Sequence, residues 1–579
     1  MTQGTTTIPQ QTTKRQRSRS LPTLVGYVML ALTLVALLLF LVLPVGMILY
    51  KAFRVQDHFT LEYFRLLFAN DLQITAIQNS LWIGVATTLL CTLLSLPLAV
   101  INARYNFPGK KLLAGLLLTP MVMPPFVGAI GFQRFFARRG SINLLLLDSG
   151  IISTPIEWLQ GDRVFWAVVL LEVLHLYPIV YLNLTAALAN IDPSLEEMAT
   201  TLGAPRWRQF KDIVWPLARS GYFAGAIIVF IWALTDLGTP LLVGFKETMP
   251  VRIFNMITDV NENPVGYALV CLVILITSGI YALAKITTRG KSYDMMSRGH
   301  VSSAVKTISA LRAAPFYGLL TLTIFAALTP HLSVLITSIS SKWFMTVLPE
   351  HYTLDYYRQI LHTDLPLIGI KNSLLFSGSS MLIDLVVGVF IAYVVVRKLV
   401  PFAGLLDALT MVPLALPGIV LAFGYVTTYT NTVLDPFTNP TALLIIAYAV
   451  RRLPYMVRSA AAGLAQTSVS LEEAAATFGA SRLHTMRTIT VPLVSANLIA
   501  GCLLCFAYAM LDVSDSLILA MKDQYYPLTK AIYALFLEHG SGEFVASALG
   551  VVGMALLTVC IMGASLMLGK KMGELFRSG

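Results

Sequence analysis

The sequence predicts an all-α integral membrane protein of about twelve transmembrane helices, arranged as two homologous six-span bundles. Of its 579 residues, 56% are hydrophobic and 12% are charged, whereas soluble domains carry about 25% charged residues. The hydrophobic residues form runs of about 20 to 27 residues with few charges, the pattern of membrane-spanning helices. The second half also repeats motifs of the first. These observations exclude a soluble enzyme, a disordered chain and a disulfide-rich scaffold.

The hydrophobic runs place the individual spans. The first run is longer than the core of a signal peptide, which is about 7–15 residues, so it predicts an uncleaved span that follows a polar, basic tail at 1–23. The predicted spans are 24–50, 80–102, 113–135, 164–189, 219–242, 265–288, 311–338, 372–396, 403–429, 440–464, 495–519 and 544–569.

The basic residues predict the orientation of these spans. The larger share of the 41 Lys and Arg residues falls in the segments on the same side as the tail, and such residues collect in cytoplasmic loops. We therefore expect both termini in the cytoplasm, and the net charge of +11 then needs no nucleic-acid partner. The five cysteines all lie inside hydrophobic runs, which argues against a redox or metal role.

The two halves match at fixed offsets. Asn79-Ser80-Leu81 recurs as Asn372-Ser373-Leu374, 293 residues later, whereas His175 matches Arg451 at an offset of 276. The difference predicts an insertion in the first half, within the loop 138–161. The predicted organisation comprises four segments: a cytoplasmic tail at 1–23, a first six-span module at 24–288, a cytoplasmic linker at 289–310 and a second module at 311–579. Repeats of this parallel kind are related by an axis along the membrane normal, with a pathway between them.

Two loops on the predicted cytoplasmic side share one motif. In 195–216 and again in 471–492, a glycine follows a glutamate by six residues, an isoleucine follows by ten more, and a proline by three more. The motif predicts a short helix, a glycine break and a second amphipathic helix limited by proline. Asp192 is expected to cap the first short helix and Ser470 the second.

This pair of loops resembles the E-A-A, three residues, G, nine residues, I-x-L-P loop of permease subunits in binding-protein-dependent ABC importers. Met198, Trp215 and Val491 are mild departures from that pattern. The resemblance implies that the loops dock on ATPase subunits, and the implied coupling residues are Glu197, Gly203, Glu473 and Gly479. It further implies two ATP-binding cassette subunits and a periplasmic or lipid-anchored solute-binding protein as partners.

The sequence has no G-x-x-x-x-G-K-[ST] motif with which to hold ATP phosphates. It also lacks H-E-x-x-H, G-x-S-x-G and any cluster of metal-ligand residues. We therefore predict a transport subunit with no catalytic residues, no bound metal and no cofactor, whose energy comes from ATP hydrolysis on a separate subunit.

Ionisable residues inside the spans are the candidate pathway residues, because such groups are costly at membrane depth. They are Asp236, Asp512, Asp515, Arg451, Arg452 and His175. The alternative is that they pair with one another or with backbone carbonyls and only hold the bundle together. The prolines of spans 3 and 9, at matching positions, predict broken helices that either form a gate or are simple kinks.

The predicted function is the membrane-spanning permease of an ATP-driven solute importer in the inner membrane, multi-pass and surrounded by lipid. Fused double permeases resemble the importers for ferric iron, so iron is the predicted solute, with 2-aminoethylphosphonate and thiamine as alternatives. An ion-coupled secondary transporter of twelve spans is the alternative from another class, and it leaves the twin loops unexplained.

Overall fold

The structure, a computed structural model, describes residues 24–55, 58–122, 124–257, 264–288 and 306–568, and their regular secondary structure is almost entirely helical. The predicted tail at 1–23, most of the linker at 289–310 and the last residues, 569–579, lie outside the described residues.

The described helices and strands of the first half are α1 (Leu24–Leu37), α2 (Leu43–Ala52), β1 (Arg54–Val55), β2 (His58–Phe59), α3 (Glu62–Ala69), α4 (Asp71–Arg104), β3 (Tyr105–Asn106), α5 (Lys110–Leu116), α6 (Thr119–Val122), α7 (Pro125–Phe136), α8 (Ser141–Asp148), α9 (Arg163–Ala189), α10 (Pro193–Thr201), α11 (Arg206–Gln209), α12 (Trp215–Thr235), α13 (Gly238–Val243), α14 (Met249–Asn255) and α15 (Val265–Thr288).

Those of the second half are β4 (Lys306–Thr307), α16 (Ala314–Ser338), β5 (Ser340–Lys342), β6 (His351–Tyr352), α17 (Asp355–His362), α18 (Asp364–Val396), α19 (Ala403–Ala415), α20 (Gly418–Tyr429), α21 (Thr441–Gln466), α22 (Val469–Thr477), α23 (Arg482–Thr485), α24 (Val491–Met510), α25 (Ser514–Leu519), α26 (Leu528–Leu537) and α27 (Gly542–Leu568). The strands form two antiparallel pairs, β1 with β2 and β5 with β6, and one parallel pair, β3 with β4.

About twelve spans are present, as predicted. In the part of the chain that the structure describes, nine helices are long and apolar enough to cross a membrane, and two bent helix pairs raise the number to eleven. The remaining predicted span, the tenth in chain order, is α21, which has 26 residues but is less apolar because it carries Arg451, Arg452 and Arg458.

The predicted breaks in spans 3 and 9 are confirmed. The helices on either side of the break meet at 91° in the first half and at 102° in the second, where α19 gives way to α20. Pro124 and Pro417 adopt extended backbone conformations immediately before α7 and α20. Proline cannot donate a backbone hydrogen bond, so the helix before it ends there and a new one starts in another direction.

Spans 5 and 11 end earlier than predicted. The sequence predicts continuous helices to 242 and 519, but α12 stops at Thr235 and α24 stops at Met510. In both halves an aspartate follows the break and caps another short helix, α13 or α25. The apolar residues at 241–243 and 517–519 extend each hydrophobic run, so the predicted spans continued past the aspartates at which the helices break.

The first span of each half packs against the broken third span of the other half. In one direction, the hydroxyl groups of Tyr425 and Tyr429 on α20 donate to the backbone oxygens of Phe40 and Leu39, both at 2.8 Å. These oxygens lie in a π-helical turn, Leu38–Val42. The contact joins the start of the chain to a helix nearly 400 residues later.

The reciprocal contact joins α16 to α7. The hydroxyl of Ser333 donates to the backbone oxygen of Gly131 at 2.8 Å. A Cβ on Gly131 would lie 2.8 Å from the backbone nitrogen of Val334, closer than real Cβ contacts, so glycine is needed for this approach. Each half thus packs its first span against the other half, an arrangement that we call the exchange of first spans. Because of it the two halves share their hydrophobic core.

Candidate functional site

The first motif loop forms the short helix that the sequence predicts. Asp192 caps α10 by accepting a hydrogen bond from the Ser194 backbone at 2.9 Å, and this bond holds the pKa of Asp192 below its ordinary value. At the other end, Gly203 has φ +77°, and Ala204 N–H donates to the Ala199 oxygen at 2.9 Å. The left-handed glycine turns the chain sharply into α11.

The second loop repeats this geometry with one correction. Ser468, and not Ser470 as predicted, caps α22: its side chain accepts from the Ser470 backbone N–H at 3.3 Å. The chain is already helical at Val469, so only Ser468 has the extended conformation that a cap requires. Gly479 has φ +84° and matches Gly203.

The coupling glutamates predicted from the resemblance, Glu197 and Glu473, are both exposed. Large apolar side chains stand out beside them: Leu202 is 86% exposed and Phe478 is 91% exposed. Each loop thus presents one carboxylate and a bulky apolar side chain outside the membrane-spanning helices. An exposed apolar side chain beside a charge is typical of a surface that binds another protein.

The charged residues of α21 form a buried cluster with those beyond α24. Arg451 Nη1 lies 2.6 Å from Asp512 Oδ2 and 2.8 Å from Asp515 Oδ2. Arg452 Nη2 lies 2.5 Å from the same Asp512 oxygen and donates to the Tyr508 backbone oxygen at 2.9 Å. Asp512 also accepts a hydrogen bond from the Asp515 backbone N–H at 2.9 Å. The four side chains therefore hold α21 to the break between α24 and α25.

The corresponding break of the first half has different chemistry. Asp236 accepts from the backbone N–H of Thr239 at 2.8 Å and so caps α13, as Asp512 caps α25. Glu172 of α9 is buried and faces Asp236 and Thr239. His175 Nδ1 lies 2.9 Å from the Pro120 backbone oxygen, which joins α9 to the broken third span.

The two breaks meet at the boundary between the halves. A Cβ on Gly238 of α13 would lie 3.1 Å from Val513 of the second half, and these two residues occupy nearly equivalent repeat positions. On the second-half side, a Cβ on Gly418 would lie 2.6 Å from Cζ of Arg451, so the guanidinium lies against the start of α20. The ionisable residues at both breaks therefore surround the contact between the halves.

Comparison with known proteins agrees with this architecture. The family model described as binding-protein-dependent transport system inner membrane component matches residues 92–293 and 384–574, one segment in each half. The chain belongs to this permease family. The match confirms the prediction of two fused permease modules in a multi-pass inner membrane protein with a transport role.

Two relatives of the permease match most of its length, and a shorter one matches less than half. It is 27% identical to a putative ferric transport system permease protein of Haemophilus influenzae over 84% of this chain and 76% of the relative. It is 26% identical to a ferric transport system permease protein of Actinobacillus pleuropneumoniae over 90% of this chain and 75% of the relative. A putative 2-aminoethylphosphonate transport system permease protein of Salmonella typhimurium is 25% identical over 42% of this chain and 85% of its own length.

Sequence reasoning missed two arginines that bind the motif loops of the permease from the ends of α4 and α18. Arg104 forms an ion pair with Glu196, and Arg397 forms one with Glu472 at 2.7 Å. The signal was present, because the two arginines are 293 residues apart and the two glutamates 276, which are the offsets of the repeat. Their pairing needed the three-dimensional fold.

Proposed function

We propose that the permease forms the translocation path of an ATP-driven importer that receives its solute from a binding protein. Two ATP-binding cassette subunits dock on the exposed surfaces around Glu197 and Glu473, with Gly203 and Gly479 setting the shape of each loop. The observation that carries the proposal is the pair of exposed short helices with identical internal spacing, one in each half. Two docking sites imply two ATPase subunits.

Transport in this proposal is by alternating access. Closure of the ATPase subunits moves both short helices, the two halves rock against each other, and the solute leaves on the side opposite to its entry. The contact of Gly238 with Val513 supports a boundary at which such rocking changes the packing. The broken spans 3 and 9 line the same boundary and provide the gate.

We propose ferric iron as the solute. Both relatives that cover most of the chain carry ferric transport in their names. Carboxylates are suitable ligands for a hard cation, and Asp236 lies at the boundary without being part of the Arg451–Arg452 cluster. The candidate pathway residues are Asp236 and His175 on one side and Asp512, Asp515, Arg451 and Arg452 on the other.

A phosphonate is the second candidate, since arginines bind such groups well and a shorter relative is named for 2-aminoethylphosphonate. In the structure, however, both Arg451 and Arg452 are already bound to Asp512, which favours the cation. Thiamine is a further alternative within the same architecture. A binding experiment with the partner binding protein, using ferric ion, 2-aminoethylphosphonate and thiamine in parallel, distinguishes the three solutes.

The orientation belongs to the same proposal. Both termini and the linker at 289–310 face the cytoplasm. The linker joins a first module at 24–288 to a second module at 311–579. The solute-binding protein, either free in the periplasm or anchored to lipid, docks on the opposite face.

The coupling role is tested by reversing charge at both loops. In proteoliposomes containing the permease, its ATPase and its binding protein, Glu197→Lys combined with Glu473→Lys abolishes uptake, because a reversed charge also repels the docking surface. Glu197→Gln combined with Glu473→Gln lowers uptake less than the double Lys variant does. Membrane insertion of every variant is checked by its yield in washed membranes.

Two outcomes would contradict the proposal. One is uptake at the wild-type rate in the double Lys variant. The other is solute movement by the purified permease in vesicles that contain no ATPase, which would favour the ion-coupled secondary transporter.

A further inference from the structure

Each coupling helix is attached to its own half through the glutamate that precedes the exposed one. Glu196 on α10 pairs with Arg104, the last residue of α4. Glu472 on α22 pairs with Arg397, which directly follows α18. α4 and α18 are the second span of each half. The exposed glutamate of each loop is free to face a partner while its neighbour faces inward.

The second attachment has more bonds than the first. Arg397 donates to Glu472 Oε1 through both Nη2, at 2.7 Å, and Nε, at 3.2 Å. Tyr393 Oη donates to Glu472 Oε2 at 3.0 Å. Arg397 Nη2 also donates to Thr467 Oγ1 at 3.0 Å, and Thr490 Oγ1 lies 3.5 Å from Glu472.

The repeat shows why the first half cannot form the same network. At the positions of Tyr393, Thr467 and Thr490 the first half has Val100, Ile191 and Val214, respectively. An aliphatic side chain has no group that could donate to Glu196 or accept from Arg104. Burial differs as well: the Arg397 and Glu472 side chains are 9% and 15% exposed, against 24% and 25% for Arg104 and Glu196. Ion pairs weaken with exposure to water.

We propose that Glu472 and Arg397 are positioning residues that hold the second coupling helix rigidly to span 8, whereas the first coupling helix is held more loosely to span 2. The two ATPase contacts are then mechanically unequal, and the second half transmits most of the movement. The attachment does not depend on the proposed function. Its effect on transport does rest on the proposed function.

Hydrogen exchange of the full chain in lipid nanodiscs, with no partner present, tests the attachment. Exchange reports the free energy of local opening. We expect the amides of 469–477 to exchange more slowly than those of 193–201. Glu472→Gln removes the charge with little change of shape and accelerates exchange of 469–477 by about fivefold or more, the lower end of a typical coupling between sites. Glu196→Gln changes the exchange of 193–201 less.

A conservative variant separates the hydroxyl network from the ion pair. Tyr393→Phe, Thr467→Val and Thr490→Val together make the second attachment resemble the first, so the difference in exchange between the helices shrinks. Asp407→Asn is the matched control, since it breaks a different ion pair, with Arg458 at 3.5 Å, outside the coupling helices. It leaves exchange of 469–477 at the wild-type rate.

The consequence for transport is measured in the assembled importer as solute moved per ATP hydrolysed. Glu472→Gln lowers this ratio more than Glu196→Gln does, and exchanging the charges, Arg397→Glu with Glu472→Arg, partly restores it. Equal exchange rates in the two helices, or no acceleration in Glu472→Gln, would overturn the attachment. The two helices could differ in hydrogen exchange as expected while Glu472→Gln and Glu196→Gln give the same amount of solute moved per ATP. That result would overturn only the unequal transmission.

Discussion

Asp512 belongs both to a buried ion-pair cluster and to the start of a helix. One of its oxygens accepts from both Arg451 and Arg452, and the other accepts from the backbone of Asp515. The first set of bonds neutralises charges that would otherwise be buried without partners. The second starts a new helix where span 11 stops. Asp236 shares the capping role in the first half but faces the carboxyl group of Glu172 and, among the described residues, no arginine pair. The shared capping role explains why aspartate occurs at both repeat positions although its charged neighbours differ.

We expect Asp512→Asn to destabilise the permease strongly. Asparagine is neutral, so Arg452 would lose the carboxylate that it contacts and Arg451 would keep only Asp515. Breaking a buried ion pair in this way costs about 3–5 kcal/mol. The midpoint of thermal unfolding in detergent measures the loss. Asp148→Asn, an exposed aspartate at the end of α8, is the control and keeps the wild-type midpoint. A shift of the same size in both variants would show that the cluster contributes no special stability.

At the scale of single elements, the ends of the short helices α10 and α22 depend on backbone conformation. Gly203 and Gly479 have positive φ and open space around them, so a side chain would fit sterically but would strain the backbone. Asparagine tolerates this conformation better than other residues, and β-branched residues tolerate it least.

Gly203→Val should therefore lower uptake, because the loop turns wrongly at the end of α10, whereas Gly203→Asn should retain most of it. Initial rates of solute uptake into proteoliposomes with the ATPase present measure both. If the two variants are equally impaired, size and not φ limits the site.

The contact between α7 and α16 depends on the absence of a side chain. A Cβ on Gly131 would collide with the backbone of α16 at Pro330 and Val334, which cannot move aside as a flexible side chain could. Gly131→Ala should destabilise the chain by about 1–3 kcal/mol, the usual cost of overpacking.

Gly115→Ala is the matched control, because nothing lies within 4 Å of the added carbon. Both midpoints of thermal unfolding are measured in the same detergent. An unchanged midpoint in Gly131→Ala would mean that the two helices can separate slightly without cost.

How far the sequence predicts these elements depends on the signal each one carries. The matched prolines predicted the bends before Pro124 and Pro417, because proline acts on the backbone directly. The breaks after Thr235 and Met510 were missed, because the apolar residues at 241–243 and 517–519 extend each run past the aspartates, which were interpreted as charges within a span. The charges of α21 were predicted as either pathway or pairing residues, and only coordinates could bring Asp512 and Asp515 within 3 Å of Arg451.

At the scale of the whole molecule, the proposed orientation predicts which surfaces face each side. Lys211 lies in the first motif loop, 195–216, and Val433 lies between spans 9 and 10; both are exposed. A membrane-impermeant maleimide added to intact spheroplasts should label Val433→Cys and should label Lys211→Cys only after lysis. The parent chain reports any labelling of the five natural cysteines, four of which are buried. The reverse pattern would invert the proposed orientation.

The exchange of first spans has a consequence for biosynthesis. Tyr425, which donates a hydrogen bond to the Phe40 oxygen, is synthesised 385 residues after Phe40. The first span is therefore in the bilayer without this partner until the ribosome has completed most of the polypeptide. Either half expressed alone would lack the broken third span of the other half, against which its own first span packs. Fusing the halves in one gene product keeps that surface tethered nearby, and two separately translated fragments would have to meet by diffusion before either could mature.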